Sequence, residues 1–150
     1  MAIWFHDFIY KIPRENLSNE LLSSVEARNY LMVQTMFTRQ EINTVCAIIE
    51  DTEKELPTIT ESAIVIDLDL FDLSNQKNYF DNGILIEKEF IPVFGEEKFV
   101  EGRIKSIDSM LARKSIFTSY LFNYSNIENE AINNLRQDKA LLEIRRDKKK

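Results

Sequence analysis

Chain reversal is the scarce resource in this sequence, which has three glycines and three prolines in 150 residues. Small β-barrels and sandwiches need a tight turn after nearly every strand, and Gly and Pro are the strongest turn formers. A chain so poor in both is steered toward long helices joined by short links. The apolar positions repeat accordingly. Leu22, Val25, Met32 and Met36 predict a stripe on a helix from about Asn19 to Met36, with Ser18 as its cap. Thr38-Arg39-Gln40-Glu41 is a capping-box pattern, and Ile42, Val45, Cys46 and Ile49 then fall on one face, up to Pro57. Ile66, Leu68 and Leu70 alternate with Asp67 and Asp69 in a strand-like way. No partner strand is evident and a lone strand is unstable, so a short helix over Ala63–Leu73 is the better reading.

Three further elements complete the pattern. One helix is expected over Asn75–Phe90, broken by Pro92 and Gly95. Another is expected over Glu96–Lys114, with an acidic first turn and Val100, Ile104, Ile107 and Leu111 on one face. The last opens with the capping box Ser125-Asn126-Ile127-Glu128 and turns Ile127, Ala131, Leu135 and Leu142 inward. Ahead of them all, Ala2–Lys11 reads as a short, aromatic and apolar first helix ended by Pro13. The expectation is an all-α, single-domain helical bundle of six or seven helices over residues 1–150.

Bulk composition removes several function classes. A net charge of −6 argues against general binding to nucleic acid, which calls for a basic surplus. The lone Cys46 allows no intrachain disulfide and suits a reducing, cytoplasmic setting. No apolar run reaches the roughly 18 residues of a membrane span, and the N-terminus lacks the basic start and small-residue cleavage site of a signal peptide.

The sharpest local feature is Trp4-Phe5-His6-Asp7, an imidazole and a carboxylate side by side in an apolar segment. Burying such a pair without partners is costly. Hydrogen bonds to other helices would satisfy it, and so would a divalent metal, since mixed imidazole and carboxylate donors suit Mn, Fe, Zn or Mg. Asp67 and Asp69 could add a carboxylate or form a solvated face. Glu20 by itself is an ordinary acidic helix start. The acidic run Glu50–Glu55 reads as a solvated helix end, and the basic tail Arg145–Lys150 as a frayed one.

Together these pieces resemble one branch of the HD superfamily of metal-dependent phosphohydrolases. Ala2–Tyr10 is similar to its AxWFHDxxY signature, Asn19-Glu20-Leu21-Leu22-Ser23 to its Asn-Glu-x-x-Ser element, and Asp67-Leu68-Asp69-Leu70 to its Asp-x-Asp-Leu element. Glu89-Phe90 is similar to a Glu-Tyr pair. Gly102-Arg103, followed by Leu111, Arg113, Ile116 and Phe117, is similar to a Gly-Arg helix and its end, and Asn134-Leu135 to the Asn-Leu of a last helix. The resemblance runs in order from Ala2 to about Leu142.

It implies an HD-like all-α fold and hydrolysis of a phosphate ester by a metal-activated water. His6, Asp7 and Asp67 would be the metal ligands, Glu20 would support the ligands or orient water, and Arg103 would meet a substrate phosphate or serve packing. The sequence also departs from the pattern. The family's N-terminal helix and its further ligand histidine have no counterpart before His6, which is the chain's one histidine. Glu53, Lys54 and Glu55 stand where another His is usual, and Glu87 where an Arg is. The expectation is therefore a degenerate HD-type binding or regulatory module whose divalent ion is weakly held or lost. The alternative is a hydrolase acting on a phosphomonoester or nucleotide. Without a covering helix, Trp4, Phe5, Phe8 and Ile9 would offer an apolar patch for a second copy or a partner protein.

Overall fold

In a computed structural model, residues 1–14, 16–34, 36–122 and 125–148 are described. Among them are seven α-helices and no strand, in keeping with the shortage of turn residues. They fall into two compact units, Met1–Asp69 and Leu70–Lys150. No described helix is long and apolar enough to cross a membrane.

The first unit holds α1 (Ala2–Phe5), α2 (Asn19–Met32), α3 (Arg39–Thr52) and α4 (Thr60–Asp69). Helix α3 packs against α2 and α4, and α1 rests on α2 and α3. The expected capping box forms in full. The Thr38 hydroxyl accepts from the Glu41 N–H at 3.3 Å, and the Glu41 carboxylate accepts from the Thr38 N–H at 2.7 Å. Ile42, Cys46, Ile48 and Ile49 turn inward from this helix, and Ala2, Ala27 and Val65 close around Ile48 and Ile49. A second cluster joins Leu31 to Ile42 and Cys46. Each fully buried aliphatic side chain of this kind contributes about 1.5–3 kcal/mol.

Three expectations are corrected here. The first helix ends at Phe5 instead of reaching Lys11, so His6 caps it and Asp7 lies beyond it. Helix α2 ends at Met32, short of Met36, and position 35 of the expected span lies outside the described residues. Its predicted stripe also faces the wrong way, because Val25, Met32 and Met36 are exposed while Asn19, Ser23, Ser24, Ala27 and Leu31 are buried. Small and polar side chains occupy that inner face because each polar group finds a partner. The Ser23 hydroxyl accepts from the Ile9 N–H at 2.9 Å, Asn19 bonds the Lys11 backbone in both directions, and Ser24 donates to Glu50 at 2.6 Å. The acidic run is likewise bonded rather than merely solvated, with Asp51 accepting from the N–H and the hydroxyl of Thr58.

The helical reading of the Asp67–Asp69 region holds. Ile66 and Leu70 are buried while Leu68 between them is exposed, as a helix requires and a half-buried strand does not.

The second unit opens with a 3-10 turn (Leu70–Ser74), followed by α5 (Gln76–Phe94), α6 (Glu96–Leu111) and α7 (Ser125–Asp147). Helix α5 runs through Pro92 and stops at Gly95, whose φ of 84° a side chain would disfavour. Proline removes one N–H and did not end the helix as expected. Helix α6 stops at Leu111, before the expected Lys114. Val100, Ile104 and Ile107 of α6 are buried, as are Ala131, Leu135 and Leu142 of α7. The expected capping box of α7 rests on the Ser125 side chain, which lies outside the described residues. Its Glu128 ties down the preceding loop, accepting from the Ile116 N–H at 2.8 Å and the Phe117 N–H at 3.1 Å. Of the basic tail, Arg145 and Arg146 form the last turn of α7, and residues 149 and 150 are outside the description.

Candidate metal centre

The short helix α1 is anchored by Ala2 and Phe5, which pack on the core made with Ala27, Ile48, Ile49 and Val65. That anchorage brings His6, the residue capping the helix, to the end of α4. There the His6 Nε2 lies 3.4 Å from the Asp7 Oδ2 and 3.4 Å from the Asp69 Oδ1. The ligating atoms of His6, Asp7 and Asp69 all lie within 4.8 Å of one another, the one such group of three among the described residues.

The other ring nitrogen sets the orientation. The His6 Nδ1–H donates to the Ile3 carbonyl at 2.8 Å, which caps the exposed end of α1 and turns Nε2 toward the carboxylates. The His6 side chain is 19% exposed, against 64% for Asp7 and 43% for Asp69. The pair expected inside an apolar helix is thus a half-buried imidazole at a helix end with an exposed carboxylate beside it. The hydrogen bond with Asp69 is the main reason that His6 is raised from 6.5 to about 9. Burial opposes the rise, and the Ile3 bond and the charges of Asp7 and Asp69 add to it. At neutral pH the imidazole so raised is protonated, with the Asp7 and Asp69 side chains 3.4 Å away.

This donor set fits a divalent cation. Once deprotonated, Nε2 offers a lone pair facing two carboxylate oxygens, and the engaged Nδ1 matches the second hydrogen bond that metal-binding histidines usually make. An ion would have to displace the Nε2 proton, so its affinity would depend on pH.

Of the three residues expected to hold a metal, His6 and Asp7 come together, and the carboxylate beside them is that of Asp69. Asp67 is fully buried and stands outside the group, which contains Asp69 instead. Two residues along a helix is about 200° of rotation, so Asp67 and Asp69 cannot both face His6. The doublet was visible in the sequence, and its helical phase is the signal that chooses between them. Glu20 is also outside the group. Its Oε1 accepts from the Arg14 Nη2 at 3.0 Å, while its Oε2 is buried and accepts no hydrogen bond among the described residues.

Arg103 belongs to the second unit. Its Nε donates to the Asp138 Oδ2 at 3.3 Å, its Nη2 donates to the Tyr79 hydroxyl at 3.1 Å, and its guanidinium lies over the Tyr79 ring. Tyr79 in turn donates to Asp138 at 2.7 Å. This cluster was missed at the sequence level because its members are spread over 59 residues. Glu87, acidic where the resemblance implies a base, pairs with Arg145 at 2.8 Å. No protein-family model, no curated protein and no solved structure matches this chain.

Proposed function

We propose that this chain is a divalent-cation-binding helical module of the HD type, acting in a reducing, cytoplasmic setting by binding a phosphorylated ligand or a partner with weak or no catalysis. The observation that supports it is the convergence of His6, Asp7 and Asp69 on a common point. Three protein donors leave most of a cation's coordination positions to other groups, which suits recruitment of an anionic oxygen. When bound, the ion would supply positive charge to a phosphoryl group. The chain's own residues orient and gate it: the Ile3 carbonyl fixes the ring, and the proton on Nε2 competes with the cation. Weak turnover is the favoured half of the reading because the groups expected to serve catalysis are committed to protein partners, Glu20 to Arg14 and Arg103 to Asp138 and Tyr79.

Elemental analysis after loading with Mn or Fe tests the proposal, with Asp7→Asn and Asp69→Asn alongside. About one ion per chain, lost in both variants, is the expected result. No ion in the unmodified protein would overturn it.

The second reading, a phosphomonoester or nucleotide hydrolase, draws on the same orientation of Nε2. Manganese-dependent release of nitrophenol from p-nitrophenyl phosphate, abolished in Asp69→Asn, would favour it over a binding role.

The proposal includes a covering partner, a second copy or another protein, over the first helix. Of the expected patch, Trp4 is 83% exposed and Phe8 is exposed, as are Ile3 and Tyr10 nearby in sequence, whereas Phe5 packs on the core and Ile9 is half-buried. Exposed apolar patches of this kind mark interfaces. Light scattering that reports a monomer unaffected by Trp4→Glu would remove the second copy from the proposal.

A further inference from the structure

Helices α5 and α6 flank an open groove of about 380 Å³, with Ile86, Phe90 and Phe94 on one side and Phe99 on the other. Small-molecule sites span roughly 300–1,000 Å³ and are mostly apolar with a few placed polar groups. Here the charged groups on the wall are Lys98 and Arg103, and no carboxylate lines it. The two cations differ. The charge of Arg103 is answered by Asp138, and its guanidinium is fixed by the bonds to Asp138 and Tyr79. Lys98 is exposed and, among the described residues, makes no ion pair or hydrogen bond. An unanswered ammonium therefore stands at the edge of an aromatic groove.

Gly102 belongs to the same wall. It lines the groove from the interior of α6, where glycine weakens a helix relative to alanine. Its backbone is ordinary helix with no positive φ, and a Cβ built there would meet nothing within 4 Å. Neither conformation nor close packing calls for glycine at this position. Gly102 is exposed, and its bare backbone leaves that part of the groove wall open.

We propose that this groove binds a single-chain amphiphile with an anionic head, its apolar chain against Phe90, Phe94 and Phe99 and its head at the Lys98 ammonium. The charge selects against neutral and cationic amphiphiles, and the aromatic walls select against small inorganic anions. The site lies wholly within the second unit and does not depend on the cation reading of His6, Asp7 and Asp69.

The test is an amide NMR titration of the full chain with decanoate below its micellar range, with decyl phosphate, decanol and inorganic phosphate as comparisons. Saturable shifts at Phe99, Gly102 and Arg103 are expected with decanoate or decyl phosphate, and the tighter of the two identifies the head group. Lys98→Glu should weaken binding by about tenfold or more, since it replaces an attraction by a repulsion. Gly102→Leu should crowd the groove wall and reduce the shifts while leaving helical circular dichroism intact. The proposal is overturned if these amides show no saturable shift, if decanol binds as tightly and Lys98→Glu changes nothing, or if Gly102→Leu binds like the unmodified chain. Should Gly102→Leu fail to fold, the charge reversal at exposed Lys98 decides alone.

Discussion

Exchanging Asp69 for Asn tests whether His6 is held as an imidazolium. The substitution keeps the shape of the side chain and a neutral acceptor but removes the charge lying 3.4 Å from Nε2. The Asp69 hydrogen bond is the largest cause of the rise of His6 from 6.5 to about 9, and an opposite charge at this range moves a pKa by roughly one to three units. His6 in Asp69→Asn is expected to titrate about one to two units lower, with Asp7 sustaining the remainder. The folded-state value lies above the unfolded one, so the stabilising contribution is fully present below about pH 6.5 and is lost as pH rises through about 9. At full strength such a shift corresponds to about 3 kcal/mol. Both carboxylates are largely exposed, at 64% and 43%, and solvent screening reduces the contribution to about 1 kcal/mol. The chain has one histidine, so a single imidazole C–H resonance reports the titration without assignment, and urea midpoints at pH 6 and above pH 9 report the stability. A midpoint near 6.5 in the unmodified protein, or the same midpoint in Asp69→Asn, refutes the reasoning.

Cation binding should follow the same proton. Apparent Mn affinity, measured by calorimetry, is expected to rise about tenfold per pH unit up to about pH 9 and then level off, and a flat profile would detach the cation from His6. Glu128→Ala strips the acceptors from the N–H groups of Ile116 and Phe117 and should cost about 2 kcal/mol, read as a lower urea midpoint with faster amide exchange at those two residues. Ile49→Ala opens a cavity where no solvent reaches and should destabilise the first unit by about 3 kcal/mol; a loss below about 1 kcal/mol would mean that the site collapses around the deletion. Burial pushes the Tyr79 hydroxyl well above its ordinary value of 10, so in alkaline absorbance titration one tyrosine should stay protonated until the chain unfolds.

Helical identity was legible from the sequence because its signals are local. The Thr38–Glu41 box, the 3.6-residue spacing of Ile42, Cys46 and Ile49, and the spacing of Val100, Ile104 and Ile107 all act within one or two turns, and each appears where the pattern put it. The His6–Asp7 pair was legible as well, being an imidazole and a carboxylate set among aromatic residues. What tertiary structure alone decided were the choices among locally equivalent options. Helix α2 could have turned Val25 and Met32 inward, yet it buries Ser23 and Ser24, because the Ile9 N–H and the Glu50 carboxylate reach them from distant segments. Asp67 and Asp69 are interchangeable by composition, and the phase of α4 against α1 gave Asp69 to His6 and buried Asp67. Tyr79, Arg103 and Asp138 carry no shared motif, and they meet only because α5, α6 and α7 pack together. A helix is written in neighbours three and four residues apart, whereas the face that it turns inward is set by partners tens of residues away, and that information exists only once the chain has folded.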